Sequence, residues 1–388
     1  MPLSPADTTL SRARWTIALA ILLIAIIGVA MSMTLPLLSL RLDQAGWSGA
    51  MIGLNTSFMA LATLSLAPFI PALAKHFGIR ALLVTALLTG ATATLGFGWA
   101  QSIWSWFFLR FMLGCALTVL FILSEFWINA AAPDDRRGLI MGIYGTVLSL
   151  GFASGPFVLQ QTGTAGEWPL VLGAGIFALA LLPVWLAGHQ TPQMDGHAGL
   201  GFVPLFRSAP VAALAALLFG AVETGAFSVL PVYGLRIGLD DQAAAMQISA
   251  VAVGNLFFQI PFGLLADRYD KKRLLLLIAA LAGLITLVIP FLAADSWVYL
   301  AVLCLWGGVA ASLYCVGLAL LGAQFHGASL EAANALFVML YATGQMVGPP
   351  LLGWSMDLVN PHGYIWASAG LFALYVGVVL VFGRTRRV

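Results

Sequence analysis

Leu35-Pro36-Leu37-Leu38-Ser39-Leu40-Arg41-Leu42 returns, 195 residues later, as Leu230-Pro231-Val232-Tyr233-Gly234-Leu235-Arg236-Ile237. Each copy closes a long apolar run, and each is followed by a second apolar run and then a basic loop. The 388 residues therefore read as one six-span unit used twice.

Composition identifies the solvent. Hydrophobic residues make up 61% of the chain and charged residues 8%, a balance that no water-soluble domain of this length tolerates. A bilayer span takes about 20 apolar residues. Twelve such runs, bounded by charges, Pro or Gly, lie near 15–40, 50–73, 81–99, 104–127, 139–160, 169–188, 208–235, 243–266, 274–292, 297–321, 330–353 and 364–383. The alternation of barrel strands is missing, so the expected fold class is all-α, with twelve transmembrane helices in two pseudo-symmetric six-helix bundles. The first run, from Trp15 to about Leu40, is too long for the core of a signal peptide and lacks a cleavage site, so it is expected to stay as the first span. The expected domains are a first bundle over 1–188, a tether over 189–207 and a second bundle over 208–388. His189 and His197 in that tether have no third ligand close by, so no metal is expected there.

Basic residues orient the bundle. Twelve spans put both termini on one side, which collects fourteen Lys and Arg: Arg12, Arg14, Lys75, Arg80, Arg136, Arg137, Arg207, Arg268, Lys271, Lys272, Arg273, Arg384, Arg386 and Arg387. Only Arg41 and Arg236 fall on the other side, and Arg110 lies within a span, so both termini are expected in the cytoplasm. The net charge of +2 follows from this asymmetry, and the basic residues lack the aromatic interleaving of a nucleic-acid surface. Cys115, Cys304 and Cys315 all lie within spans without metal-ligand spacing and read as packing residues. No phosphate-cradling Gly-Lys-Ser/Thr loop and no supported nucleophile–base set occurs, so neither an ATP-driven pump nor an enzyme is expected, and no cofactor.

Three motifs carry a resemblance. Gly263-Leu264-Leu265-Ala266-Asp267-Arg268-Tyr269-Asp270-Lys271-Lys272-Arg273 resembles the signature loop of the major facilitator superfamily, which has a Gly where this chain has Asp270. Pro71-Ala72-Leu73-Ala74-Lys75-His76-Phe77-Gly78-Ile79-Arg80 is its degenerate first-half copy, with Lys75 in place of the acidic residue and Ile79 in place of a basic one. Arg110-Phe111-Met112-Leu113-Gly114 resembles the family's Arg-x-x-x-Gly motif, and Ser124-Glu125-Phe126-Trp127-Ile128-Asn129 is similar to the YcaD-like branch. Gly142, Gly151, Gly155 and Pro156 resemble the start of the superfamily's antiporter motif, without the glycine pair after the proline. Span eleven echoes it with Gly344, Gly348, Pro349, Pro350 and Gly353.

Physical chemistry gives each motif a task and an ordinary alternative. Asp267, Arg268 and Lys271 either bridge helices at an inner gate in one state, each pair contributing about 1–3 kcal/mol if partly desolvated, or form a solvated loop that sets topology. Lys75 or Arg80 is expected to pair with Glu125, near the cytoplasmic end of span four, at that gate. Glycines four apart share a helix face and admit a neighbouring backbone, and proline bends the helix. This makes either a sliding seam or plain close packing.

Two charges lie deep in the apolar layer, where each costs several kcal/mol if ionised and unpaired. Glu223 is near the centre of span seven and reads as a proton-coupling group, a contact for substrate charge, or a buried structural carboxyl. Arg110 resembles the superfamily arginine linked to proton coupling, or else it holds a polar core network. Asn55, Tyr144, Asn255, Gln259, Tyr314, Asn334, Tyr341 and Gln345 line a path or bond helix to helix; Asn255 with Gln259, and Tyr341 with Gln345, share a face by their spacing of four. The 24 Phe and 12 Trp are expected mostly at lipid or the interface, with Trp15, Trp104, Trp297 and Trp354 as belt residues.

The resemblance implies a secondary transporter of the bacterial inner membrane, with substrate bound near the midplane and access alternating by rocking. Proton-coupled export of a small, partly apolar organic solute is the leading expectation, with small-molecule substrate, protons and lipid as partners. A proton-coupled importer, or a non-transporting sensor or scaffold on the same fold, is the alternative. One chain supplies a complete path, so a working monomer is expected.

Overall fold

The computed structural model describes residues 5–131, 137–187, 206–325 and 328–382. Arg136 and the segment carrying His189 and His197 lie outside the described residues, as do Arg384, Arg386 and Arg387. The first half supplies α1 (Pro5–Gln44), α2 (Gly49–Leu66), α3 (Ile70–Phe77), α4 (Ile79–Gly96), α5 (Ile103–Ala131), α6 (Arg137–Thr162), α7 (Trp168–Leu179) and α8 (Leu181–Leu186). The second half supplies α9 (Pro210–Arg236), α10 (Asp241–Arg268), α11 (Lys271–Val288), α12 (Trp297–Gln324), α13 (Ala328–Leu358) and α14 (Gly363–Phe382). Among the described residues, twelve helical stretches are long and apolar enough to cross a membrane, matching the expected number. The fold is all-α.

Two expected spans are composite. Span two runs from Gly49 to Phe77 but tightens to a 3₁₀ turn at Ala67–Phe69, where Pro68 leaves a missing donor. Span six, Trp168–Leu186, is divided at Ala180 into α7 and α8. Polar side chains supply several helix starts: Asp240 accepts from the Ala243 N–H at 2.7 Å, Asp270 from Arg273 at 2.8 Å and Ser296 from Tyr299 at 3.2 Å. Pro36 and Pro231, the matched prolines of the repeated octapeptides, both lie inside helices.

The helices gather into two compact units. The first comprises residues 1–34, 61–158 and 165–197. In it α4 packs against α5 and α7, and α1 meets α6 along a glycine seam. A Cβ on Gly151 would lie 2.8 Å from the Ala25 carbonyl oxygen, and one on Gly155 would lie 2.6 Å from the Met33 nitrogen. The second unit comprises 35–60, 159–164 and 198–388. Its α9 is packed by α10, α12, α13 and α14, and it is the most buried of the twelve spans.

The second unit repeats the seam. Gly344 and Gly348 of α13 bring its backbone onto α9: added Cβ atoms would lie 2.0 Å from the Leu217 carbonyl oxygen and 2.3 Å from the Ala221 Cα. From the other side, Gly220 of α9 faces the Tyr341 carbonyl in the same way. The proline-bearing glycine runs of spans five and eleven thus each lie against the helix that ends in the repeated octapeptide. Gly142 and Pro156 lie within α6, and Pro349 within α13.

Candidate functional site

Glu223 occupies the midpoint of α9. Apart from residues near the two ends of α9, most of the helix is buried; Glu223 and Thr224 are partly exposed in the middle. The Tyr341 hydroxyl of α13 donates a hydrogen bond to the Glu223 carboxylate. Gln345 lies one turn on from Tyr341 and is partly exposed. The face that Tyr341 shares with Gln345 thus carries the hydroxyl that meets the carboxyl group.

Aromatic rings complete the surroundings. Phe219, one turn before Glu223, stacks on Tyr341 with centroids 5.9 Å apart and lies 5.7 Å from Tyr314 of α12. Tyr314 meets Tyr341 edge-on at 5.4 Å and Phe337 at 5.0 Å. Phe219, 8% exposed, and Phe337, fully buried, fall outside the expectation that most phenylalanines lie at lipid or the interface. Composition alone had no means of separating them from the exposed Phe257 or Phe291. The usable signal was the i, i+4 spacing of Phe219 and Glu223 on one helix face.

The other expected path residues each have surroundings of their own. Asn255 accepts a 2.7 Å hydrogen bond from the Gln259 amide, so this pair satisfies itself within α10. Asn334 is exposed. Asn55 of α2 is fully buried, and both its amide nitrogen and oxygen lack a hydrogen-bond partner. Tyr144 of α6 is buried in the first unit. Arg110, in the same unit, is fully buried on α5.

Among the described residues, Glu125 forms no ion pair with Lys75 or Arg80. Lys75 and Glu125 are both exposed, where a lone ion pair gains at most about 1 kcal/mol against its ordering cost. Asp267 and Arg268 are likewise exposed at the end of α10, and Lys271 begins α11. Asp270, the departure from the family loop, is the N-cap of α11.

The end of the second unit that carries Arg41 and Arg236 holds a polar network that sequence reading missed. Arg236 Nη1 lies 3.0 Å from Asp357 Oδ1 and its Nη2 lies 3.6 Å from Asp43 Oδ1. Asp357 also accepts from the backbone N–H groups of Gly49, at 2.9 Å, and Ala50, at 2.8 Å, which caps α2. Arg41 Nε donates to the Thr164 carbonyl at 2.9 Å. Gln44 donates to Asp241 at 2.7 Å, and the Thr164 hydroxyl bonds the same carboxylate. The two arginines of the octapeptide repeat therefore have matching work: each ties the end of its helix to a distant segment. Beneath them α2 and α13 touch backbone to backbone, since a Cβ on Gly53 would lie 2.1 Å from the Pro349 carbonyl oxygen.

A family model described as the Major Facilitator Superfamily matches residues 20–251 and 237–388. An MFS-type transporter of Bacillus subtilis (strain 168), YfkF, is 28% identical over 374 residues, covering 95% of each chain. The MFS-type transporter YE1530 of Yersinia enterocolitica is 22% identical over 292 residues, or 75% of each chain. Among solved structures, the nucleoside transporter NupG superposes with a TM-score of 0.77 at 16% identity, over 97% of this chain and 100% of that one. A bacterial homolog of the human lysosomal transporter Spinster, inward-facing and unoccupied, gives a TM-score of 0.72 at 16% identity, over 96% and 94%. At such identities the likeness is one of fold.

Proposed function

The chain belongs to the major facilitator superfamily of membrane transporters, and from that premise we propose that it is a proton-coupled exporter of a small, partly apolar organic solute. One observation carries this reading: a carboxyl group at the midpoint of the most buried span, part-exposed and held by a tyrosine hydroxyl. An ionised carboxylate without a counter-charge costs several kcal/mol at that depth, whereas its protonated form costs little. Glu223 is therefore suited to exchange a proton for solute, which is the minimum an antiporter requires. Tyr341 is the titratable group in contact with it, and Tyr314 is the next. Arg110 serves as a second coupling residue in this reading.

The rest of the assignment follows from charge. The positive-inside bias supports cytoplasmic termini, an inner-membrane location, and an outer face at Arg41 and Arg236. On that orientation the Arg236–Asp43–Asp357 network is an outer gate in its closed state. Asp267, Arg268, Lys271, Glu125, Lys75 and Arg80 belong to the inner gate, which pairs its charges only when that side closes. The glycine seams let α6 and α13 shift along α1 and α9 as access alternates.

The test uses everted membrane vesicles carrying a pH gradient reported by an acridine dye. Addition of solutes from a panel of small organic compounds should collapse the gradient for at least one solute with the native protein, and not with E223Q. No collapse across the panel, or an equal response from E223Q, would overturn the reading.

A further inference from the structure

The helices around Glu223 carry charge in a lopsided way. The carboxyl group is the only charged side chain of α9 apart from Arg236 at its end, and that arginine is engaged by Asp43 and Asp357. It is thirteen residues from Glu223, or roughly 20 Å along the helix. Of the helices packed on α9, α12 and α14 contain no Lys, Arg, Asp or Glu. α13 has only Glu331 and Asp357, near its two ends, and α10 has Asp241, Asp267 and Arg268, also at its ends. At mid-depth these five helices thus present one carboxyl group and no cation.

What surrounds that group is aromatic. Phe219, Tyr314 and Tyr341 lie in mutual ring contact beside it, and Phe337 backs Tyr314. Aromatic faces carry negative potential and attract cations, most strongly where water is scarce. Tyr314, Tyr341 and Gln345 keep part of their surface accessible, as Glu223 does. A ligand reaching this patch meets rings and a carboxylate together.

Building on the transport reading above, we infer that the solute is a monovalent organic cation with an aromatic or otherwise apolar body, seated on Phe219, Tyr314 and Tyr341 with its charge toward Glu223. Quaternary or delocalised charge fits best, since such ions give up water more readily than a compact ammonium. An anion would meet Glu223 and the ring faces as repulsion. A neutral solute would leave the carboxylate unmatched. Tyr341 holds the carboxylate in place by one hydrogen bond and offers its ring to the same ligand, so it acts as both a contact and a positioning residue.

The experiment measures equilibrium binding to the purified full-length protein with two ions of the same shape and opposite charge, tetraphenylphosphonium and tetraphenylborate. Tetraphenylphosphonium should bind at least about tenfold more tightly than tetraphenylborate or neutral triphenylphosphine oxide. E223Q should weaken it about tenfold or more, E223D should keep most of the affinity, and Phe219→Leu or Tyr314→Leu should each cost about threefold to tenfold. Equal affinity for the two ions, no binding of the phosphonium, or binding untouched by E223Q would overturn the inference. Should E223Q fail to fold, the comparison of the two ions on the native protein decides. The vesicle assay separates the two claims. Gradient collapse by neutral or anionic solutes, with no phosphonium binding, sinks the cation inference and leaves the transport reading. Glu223-dependent phosphonium binding with no coupled flux does the reverse.

Discussion

The guanidinium of Arg236, at the end of α9, donates a 3.0 Å hydrogen bond to the carboxylate of Asp357, near the end of α13. The same carboxylate caps α2 through Gly49 and Ala50, so one side chain joins three helix ends. Both partners are a quarter exposed or less, which raises the pair above a surface ion pair without making it a fully buried one. Asp357→Ala should therefore weaken this arrangement by about 1–3 kcal/mol, through the lost ion pair and the uncapped N–H groups. The readout is labelling of a cysteine placed at Ser57, a buried position on the α2–α13 contact, by a membrane-impermeant maleimide. Labelling should rise by about tenfold or more if the network holds the closed state. Unchanged labelling would show that α2 and α13 stay together without it.

The glycine seam gives a prediction about stability. Gly348 presses against the Ala221 backbone, with only 2.3 Å for an added Cβ, whereas a Cβ on Gly377 would meet open space. Backbone cannot move aside as a flexible side chain does. Gly348→Ala should cost about 1–3 kcal/mol by overpacking, while Gly377→Ala should be neutral or slightly stabilising through better helix propensity. Thermal unfolding in detergent, run on both variants, checks the difference. Equal melting behaviour would mean that the seam has slack.

Much of this architecture was readable before any coordinates. Span number follows from hydropathy alone, and the Gly344–Gly348 face and the Tyr341–Gln345 face follow from helical spacing, all local properties. The network at Asp357 was not readable, because its members come from distant parts of the chain: Gly49 and Asp357 are 308 residues apart, and Arg236 and Asp357 121. They meet only through the register of helices past one another, and no periodicity encodes that. Arg41 and Arg236 were visible as orientation signals, yet their shared octapeptide context was the clue to a shared structural task. Lys75 and Glu125 were visible as opposite charges, but whether they meet was not: in this structure both are exposed and form no ion pair with each other, and a motif does not say in which state burial would make pairing worthwhile.

Asp270 offers a smaller and cleaner test. Its side chain accepts the Arg273 N–H at 2.8 Å and starts α11, where the family loop has a glycine. Asp270→Ala should destabilise by about 1 kcal/mol and Asp270→Gly by only a few tenths, since glycine is tolerated at an N-cap. Asp270→Asn should be near neutral. Melting temperatures of the three variants check the order. A larger loss for Gly than for Ala would mean that Asp270 has a partner beyond the cap.

Glu223 supports a prediction that separates coupling from binding. If this carboxyl group is where protons and solute exchange, then Glu223→Gln, which mimics the protonated form in shape and hydrogen bonding, should abolish transport driven by a pH gradient. Movement that needs no proton, such as solute exchange across a membrane with no gradient, should survive in part, because the amide preserves packing against Tyr341 and the seam at Gly220 is untouched. Tyr341→Phe should act differently. It keeps the ring against Phe219 and Tyr314 but removes the donor to Glu223, a hydrogen bond worth about 1.5–3 kcal/mol when the acceptor is charged. Its coupled transport should therefore be slowed by about tenfold or more rather than abolished. Proteoliposomes assayed for gradient-driven uptake and for exchange, side by side, give both quantities. Gradient-driven transport by Glu223→Gln at the native rate would remove the carboxyl group from the coupling step, whatever its part in binding.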